Sequence, residues 1–212
     1  MTPVIFAPHS LPNRLIPLAE HRAFATYLIV QEQLEAGIVC LHPYDIFLGN
    51  HIAYQDSGFE ISCCMHNAIA RHPWNEKEFW RAYHKLGIEF MINLYSLLRI
   101  SSSCYFCGLS TPLFYAGYLG IRCKLVTFED HMEVADMKQI VSIAQKRPVT
   151  AADNGVCSRL NQLLHHNEWT SSDLLTFKSY CEVVLGKHAL VSPKAMLAKL
   201  EYAYLLLSRS NS

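Results

Sequence analysis

The most regular hydrophobic pattern in the chain lies between Asn75 and Arg99. Apolar residues recur there at steps of three and four, which is the period of a helix with a buried face. Two neighbouring stripes contain Phe79, Tyr83, Leu86, Phe90, Leu94 and Leu97, and Trp80, Met91, Tyr95 and Leu98. Asn75 and Glu78 have the spacing of a capping box. Because only one stripe is polar, the pattern predicts a long central helix covered by other helices.

Start and stop signals predict further helices on both sides of this one. Thr170 and Asp173, for example, have capping-box spacing, and Gly186 follows as a terminator. The predicted helices span 19–36, 104–109, 112–119, 127–145, 156–166, 174–185 and 194–207. Residues 38–64 instead contain turn residues and a weak alternation, which indicates a short strand pair.

The first 18 residues contain four prolines, which lack the backbone N–H group that helical hydrogen bonds need. They also carry many apolar side chains, so we expect residues 1–18 to form an extended, proline-rich arm that lies against the body. Together these patterns predict a mostly all-α protein. The expected architecture is a compact helical bundle, and residues 1–212 form a single domain.

The amino-acid composition indicates which classes of partner the protein can bind. Apolar residues make up 51% of the 212 residues and charged residues 17%, against about 25% charged in typical soluble domains, so we expect a protein partner to cover part of the surface. The 18 basic and 18 acidic residues balance, and no basic run indicates nucleic-acid binding. No apolar run reaches the length of a membrane span and no signal peptide is evident, which predicts a cytoplasmic protein.

Cys104 and Cys107 have a spacing that can chelate a metal or form a redox pair. A structural zinc site needs two further ligands, commonly a second close pair, and the chain offers only Cys123 or the remote Cys63, Cys64 and His66. The eight cysteines are spread through a chain too large to need disulfide staples, so we expect reduced thiols. The sequence predicts no metal site and no cofactor.

Cysteine and histidine residues also lie near one another in ways that could supply a nucleophile and its base. The candidates are Cys157 with His165 or His166, and Cys64 with His66. No local signature of a known catalytic cysteine surrounds them, so we assign no catalytic residue. A small helical bacterial enzyme or effector that uses a Cys/His site is the alternative function.

The predicted last helix, 194–207, is apolar nearly all round in its final two turns. A terminal helix normally keeps a polar outer face, yet Glu201 is the last charge before Arg209. Either other elements cover the second face or it docks a partner. The predicted partner-binding residues are Tyr202, Tyr204, Leu205 and Leu206.

The two ends of the chain carry a resemblance to a known family. The segment Val4-Ile5-Phe6-Ala7-Pro8, followed by Arg14-Leu15, resembles the opening of the OrgA/MxiK-type accessory proteins of type III secretion sorting platforms. Residues 200–207 are similar to the closing helix of that family. Two departures are that Ala7 replaces an acidic residue and that no tyrosine closely follows Pro8.

The resemblance implies a role in bacterial virulence. Proteins of this family are cytoplasmic and mostly helical, and they join a membrane-ring component to the cytoplasmic platform. With the composition, this predicts a non-enzymatic cytoplasmic adaptor whose partners are secretion-platform and membrane-ring proteins.

Overall fold

A computed structural model describes residues 2–10, 15–64, 77–79, 87–108, 110–126, 151–166 and 168–185. Five of its segments are β-strands, and all of them pair in parallel in one sheet. The strands are Thr2–Phe6 (β1), Ile38–Cys40 (β2), Glu60–Ser62 (β3), Ser101–Phe106 (β4) and Arg122–Leu125 (β5). Their order across the sheet is β3-β2-β1-β4-β5.

Helices connect these strands and continue after the last one. The described helices are Leu18–Val30 (α1), Pro43–Phe47 (α2), Ile52–Gln55 (α3), Gly87–Arg99 (α4), Thr111–Tyr118 (α5), Ala151–His166 (α6) and Ser171–Val184 (α7). Parallel strands need such crossover connections, because a tight hairpin can join only antiparallel strands.

β1 lies in the middle of the sheet and sends its side chains into two separate cores. Val4 and Phe6 belong to one core, with helices α4, α5, α6 and α7, and the Phe6 ring stacks on Phe106 of β4 at 4.8 Å. Ile5 and Ala7 belong to the other core, with helices α1 and α3. The fold is therefore a doubly wound α/β sheet with helices on both faces.

The prediction of an all-α bundle is wrong, because the sheet occupies the centre of the molecule. Residues 2–6 form the central strand, so this part of the predicted arm is not a surface element. Residues 104–106 of the predicted helix 104–109 form the end of β4. A parallel strand covered on both faces has a continuous apolar run with no alternation, which does not distinguish it from a short buried helix.

Several local predictions agree with the structure. The described part of the Asn75–Arg99 segment is helical at 77–79 and over α4, although α4 covers one face of the sheet instead of forming a hub. The strand pair expected within 38–64 is present as β2 and β3. Thr170 and Asp173 form a capping box before α7, in which each backbone amide donates to the other side chain. The predicted helices 127–145 and 194–207 lie outside the described residues.

Gly117 allows helices α5 and α7 to pack closely on this face of the sheet. A Cβ atom at position 117 would lie 2.4 Å from the Phe177 ring and 2.5 Å from Cys181 Sγ. Both neighbours are fully buried on α7, so neither can move without disturbing the core. Close-packed interiors tolerate such overlap poorly.

We therefore predict that Gly117→Ala lowers the free energy of unfolding by about 1–3 kcal/mol, the usual cost of overpacking a core. Gly155→Ala on α6 is the matched control, because no atom of the described residues outside its own stretch of helix lies within 4 Å of the added Cβ. That variant gains helix propensity and is expected to be more stable by about 0.5–1 kcal/mol. Chemical denaturation of both variants checks the pair, and equal stability would contradict the close packing of α5 on α7.

Candidate functional site

The carboxyl ends of the strands are where a doubly wound sheet normally binds a ligand. The favoured position lies between the two strands whose connections leave toward opposite faces, and here these strands are β1 and β4. The chain continues from β1 through His9 and Ser10, and from β4 through Cys107 and Gly108. Cys107 is buried and belongs to the core that contains Ala7 and Tyr105. Between the ends of β1 and β4, the described residues Ala7 and Cys107 are therefore packed in the core.

A buried polar network lies beside this point and is organised by Asp45 of α2. The backbone N–H of Ser10 donates to both carboxylate oxygens of Asp45, at 3.0 and 3.3 Å, and Asn50 Nδ2 donates to Oδ1 at 3.1 Å. His21 Nε2 lies 3.3 Å from Oδ1. On the other side of the imidazole, His21 Nδ1 and the Tyr54 hydroxyl are 2.8 Å apart.

Asp45 keeps its charge inside the protein because its neighbours supply hydrogen bonds. Burial alone would raise the pKa of this carboxyl group, but the hydrogen bonds from His21 and Ser10 outweigh it and lower the pKa below its usual value. Burial raises the pKa of the Tyr54 hydroxyl well above its normal range. Both Asp45 and His21 are fully buried, so neither side chain is in contact with solvent.

The same network holds the turn that follows β1. Ser10 Oγ accepts a hydrogen bond from the Ile16 amide at 2.9 Å, and Asn50 Nδ2 donates to the Ile16 carbonyl at 3.2 Å. Two Asp45 partners therefore also bind the backbone at residue 16.

Two histidines stack above this network at the ends of β1 and β2. The rings of His9 and His42 have centroids 5.5 Å apart, and His9 is exposed while His42 is half-buried. Burial, together with the charge of His9, lowers the pKa of His42 to about 4. His42 is therefore neutral near pH 7, and its Nδ1 accepts a hydrogen bond from the Tyr44 amide at the start of α2.

Cys104 and Cys107 cannot chelate one metal ion as a pair. Successive side chains of a strand point to opposite faces, and the two thiols accordingly belong to different cores on opposite sides of the sheet. Burial raises the pKa of Cys104 to about 12 and that of Cys107 well above its usual value. Both therefore remain neutral thiols near pH 7.

The cysteine and histidine pairs considered for catalysis are only partly described. Cys64 is buried, and its pKa is raised by a hydrogen bond with Cys40 and by burial. His66 and the side chains of Cys157 and His166 lie outside the described part of the structure, so those pairings stay untested. A buried thiol with a raised pKa is a poor nucleophile, because the thiolate is the reactive form.

Within the described ranges, no three His, Cys, Asp or Glu side chains come together as metal ligands. A small apolar cavity lies between α4 and α5, next to Met91 and Tyr115. Its volume of about 10 Å³ is close to the minimum that one water molecule needs. This cavity is far too small for a substrate or cofactor.

A set of exposed apolar residues lies on two segments, 15–18 and 48–52, that a long-range hydrogen bond joins. Its residues are Leu15, Leu18, Leu48 and Ile52, with side chains between 37% and 58% exposed. The hydrogen bond from Asn50 to the Ile16 carbonyl brings the two segments together. The sequence does not indicate this set, because its two segments are related only through that long-range hydrogen bond. We call these four residues the turn patch.

The predicted partner-binding residues Tyr202, Tyr204, Leu205 and Leu206 lie outside the described residues, so their role stays a prediction. No helix in the described part of the chain is long and apolar enough to span a bilayer. Comparisons with protein-family models, with curated proteins and with solved structures found no match.

We predict that Asp45→Asn lowers the free energy of unfolding by at least about 2 kcal/mol. The new amide would place N–H donors against Ser10, Asn50 or His21, which already donate there, and buried polar groups would lose their partner. The matched control is Asp56→Asn, which breaks an exposed ion pair with Arg22 and should cost less than about 1 kcal/mol. Urea denaturation measures both variants, and equal stability would show that the network does not hold the turn.

Proposed function

We propose that this protein is a non-enzymatic adaptor that binds another protein through the turn patch. The observation that carries the proposal is the exposure of Leu15, Leu18, Leu48 and Ile52 on two segments that the hydrogen bond from Asn50 to Ile16 joins. Contiguous exposed apolar groups commonly mark protein-binding surfaces. The buried network under the patch supports this role, because a fixed surface loses less conformational entropy on binding.

The chemistry of the described residues favours binding over catalysis. Asp45 and His21 are enclosed and paired within the fold, and the thiols of Cys104 and Cys107 have raised pKa values. A nucleophile or general base must instead reach its substrate in the correct protonation state. The alternative of a cysteine-based enzyme therefore receives no support from these groups.

We further propose that the adaptor belongs to a type III secretion sorting platform in the bacterial cytoplasm. This placement rests on the resemblance of the segment Val4 to Pro8 and of Arg14-Leu15 to the OrgA/MxiK-type accessory proteins. Leu15 belongs both to that resemblance and to the turn patch. The partners would then be a sorting-platform protein and a membrane-ring component, with Tyr202, Tyr204, Leu205 and Leu206 as a second contact region.

We predict that the double variant Leu15→Glu, Leu48→Glu folds normally but binds its partner at least about 30-fold more weakly. Burying two carboxylates in an apolar interface is costly, and a loss of about 2 kcal/mol at an interface hot spot corresponds to that factor. The test begins with affinity purification from native cells. Each protein recovered is then purified and titrated against the wild type and the variant.

Leu175→Glu is the matched control, because Leu175 is 67% exposed and lies on α7, which packs on the opposite face of the sheet from α1 and α3. It should bind like the wild type. Equal affinity of all three proteins would contradict docking through the turn patch. If the recovered partners include no component of a secretion system, the placement in a sorting platform is wrong, whereas the adaptor function is judged by the titration.

A further inference from the structure

A pair of buried thiols at one edge of the sheet has no part in the proposed adaptor function. Cys40 ends β2, and Cys64 lies two residues beyond β3, which is the edge strand. Their sulfur atoms are 3.3 Å apart, within contact distance. Both side chains are less than 10% exposed, and Cys63 between β3 and Cys64 is half-buried.

The backbone around this pair is held in place on both sides. Cys40 is opposite Ser62 in the register of β2 with β3, and the Leu41 amide donates to the Ser62 carbonyl at 3.0 Å. Asn93 of α4 donates its side-chain amide to the Cys64 carbonyl at 3.3 Å. The two thiols therefore meet as a consequence of strand pairing and helix packing.

We propose that Cys40 and Cys64 form an oxidative modification site, at which a peroxide converts the two thiols into a disulfide. One sulfur attacks a peroxide oxygen, becomes a sulfenic acid and releases the first water molecule. The second sulfur then attacks the sulfenic sulfur, the S–S bond forms and the hydroxyl group leaves as a second water molecule. Two thiols are oxidised by two electrons in total, and one hydrogen peroxide is reduced to two waters.

The geometry explains why a disulfide should form in preference to deeper oxidation. A disulfide requires sulfur atoms about 2.05 Å apart, so the pair must close by little more than 1 Å from its present contact. A partner that is already in contact acts at a very high effective concentration. It should therefore capture a sulfenic acid before a second peroxide does.

Burial also determines the class of oxidant and the rate. Hydrogen peroxide is small and uncharged, whereas a bulky disulfide reagent cannot reach sulfur atoms that are nearly enclosed. Because few thiolates are present at neutral pH, the first step should be slow compared with that of an exposed, ionised cysteine. The bond would tie the three-residue edge strand β3 to β2, which limits fraying at this edge.

The test treats the folded wild-type chain with hydrogen peroxide over a time course that extends well beyond the complete oxidation of Cys63. Remaining thiols are then alkylated in denaturant, and the chain is digested without reductant for mass spectrometry. We expect a peptide pair joined through Cys40 and Cys64, lighter by two hydrogen atoms and separated by dithiothreitol. This measurement needs no variant, so it decides the proposal even if substitution weakens the fold.

Three variants sharpen the assignment. Cys63→Ser should keep the crosslink, whereas Cys40→Ser and Cys64→Ser should each lose it, with melting curves confirming that each variant is folded. The proposal is overturned if the main crosslink contains Cys63. It is equally overturned if Cys40 and Cys64 remain open to alkylation long after Cys63 is fully oxidised, or if either is converted to a sulfinic acid without crosslinking.

Discussion

The structure depends on the burial of residues 4–6 of β1 between two strands and two layers of helices. Residues 4–6 pair with β2 on one side and with β4 on the other, so their backbone groups have partners within the sheet. Their side chains enter both cores, with Val4 and Ile5 fully enclosed. Unpaired backbone groups are costly away from water, and β1 therefore needs both neighbouring strands. Because β4 follows β2 and β3 in the chain, three crossover connections must form before β1 is paired on both sides.

The hydrogen bonds of buried Asp45 and its partners fix the backbone at one edge of the sheet. The chain leaves the carboxyl end of β1 through Ser10, whose amide is held by Asp45, and returns to the surface at Ile16, where Ser10 and Asn50 hold the backbone. Asp45, Ser10 and Asn50 thus all form hydrogen bonds with the backbone at this edge. What remains at the surface is the turn patch, and its apolar character accounts for the proposed binding function. Asp45 and His21 lie inside the fold here, whereas the four residues of the turn patch are exposed.

Local signals in the sequence predicted local structure, and they failed where contacts between distant segments decide the outcome. The capping box at Thr170 and Asp173 and the apolar stripe of α4 are properties of neighbouring residues, and the structure contains both. Residues 4–6 form a strand only because β2 and β4 pair with them, and a three-residue apolar run beside prolines gives no periodic signal. Residues 104–106 were expected to be helical, yet they end β4, a strand whose first residue, Ser101, is buried. The turn patch was equally hidden, since it requires the contact between Asn50 and residue 16.

Hydrogen exchange of the β1 amides tests the central claim most directly. The segment 4–6 was expected to belong to a surface arm from its sequence, whereas the structure places it in the middle of the sheet. Amide-resolved exchange by NMR at neutral pH separates the two descriptions. We predict that the sheet-bonded amides of Val4, Ile5 and Phe6 exchange only through global unfolding, with protection that matches the free energy of unfolding measured in denaturant. Exchange of these amides near the rate of an unstructured peptide, while the helices remain protected, would contradict the account.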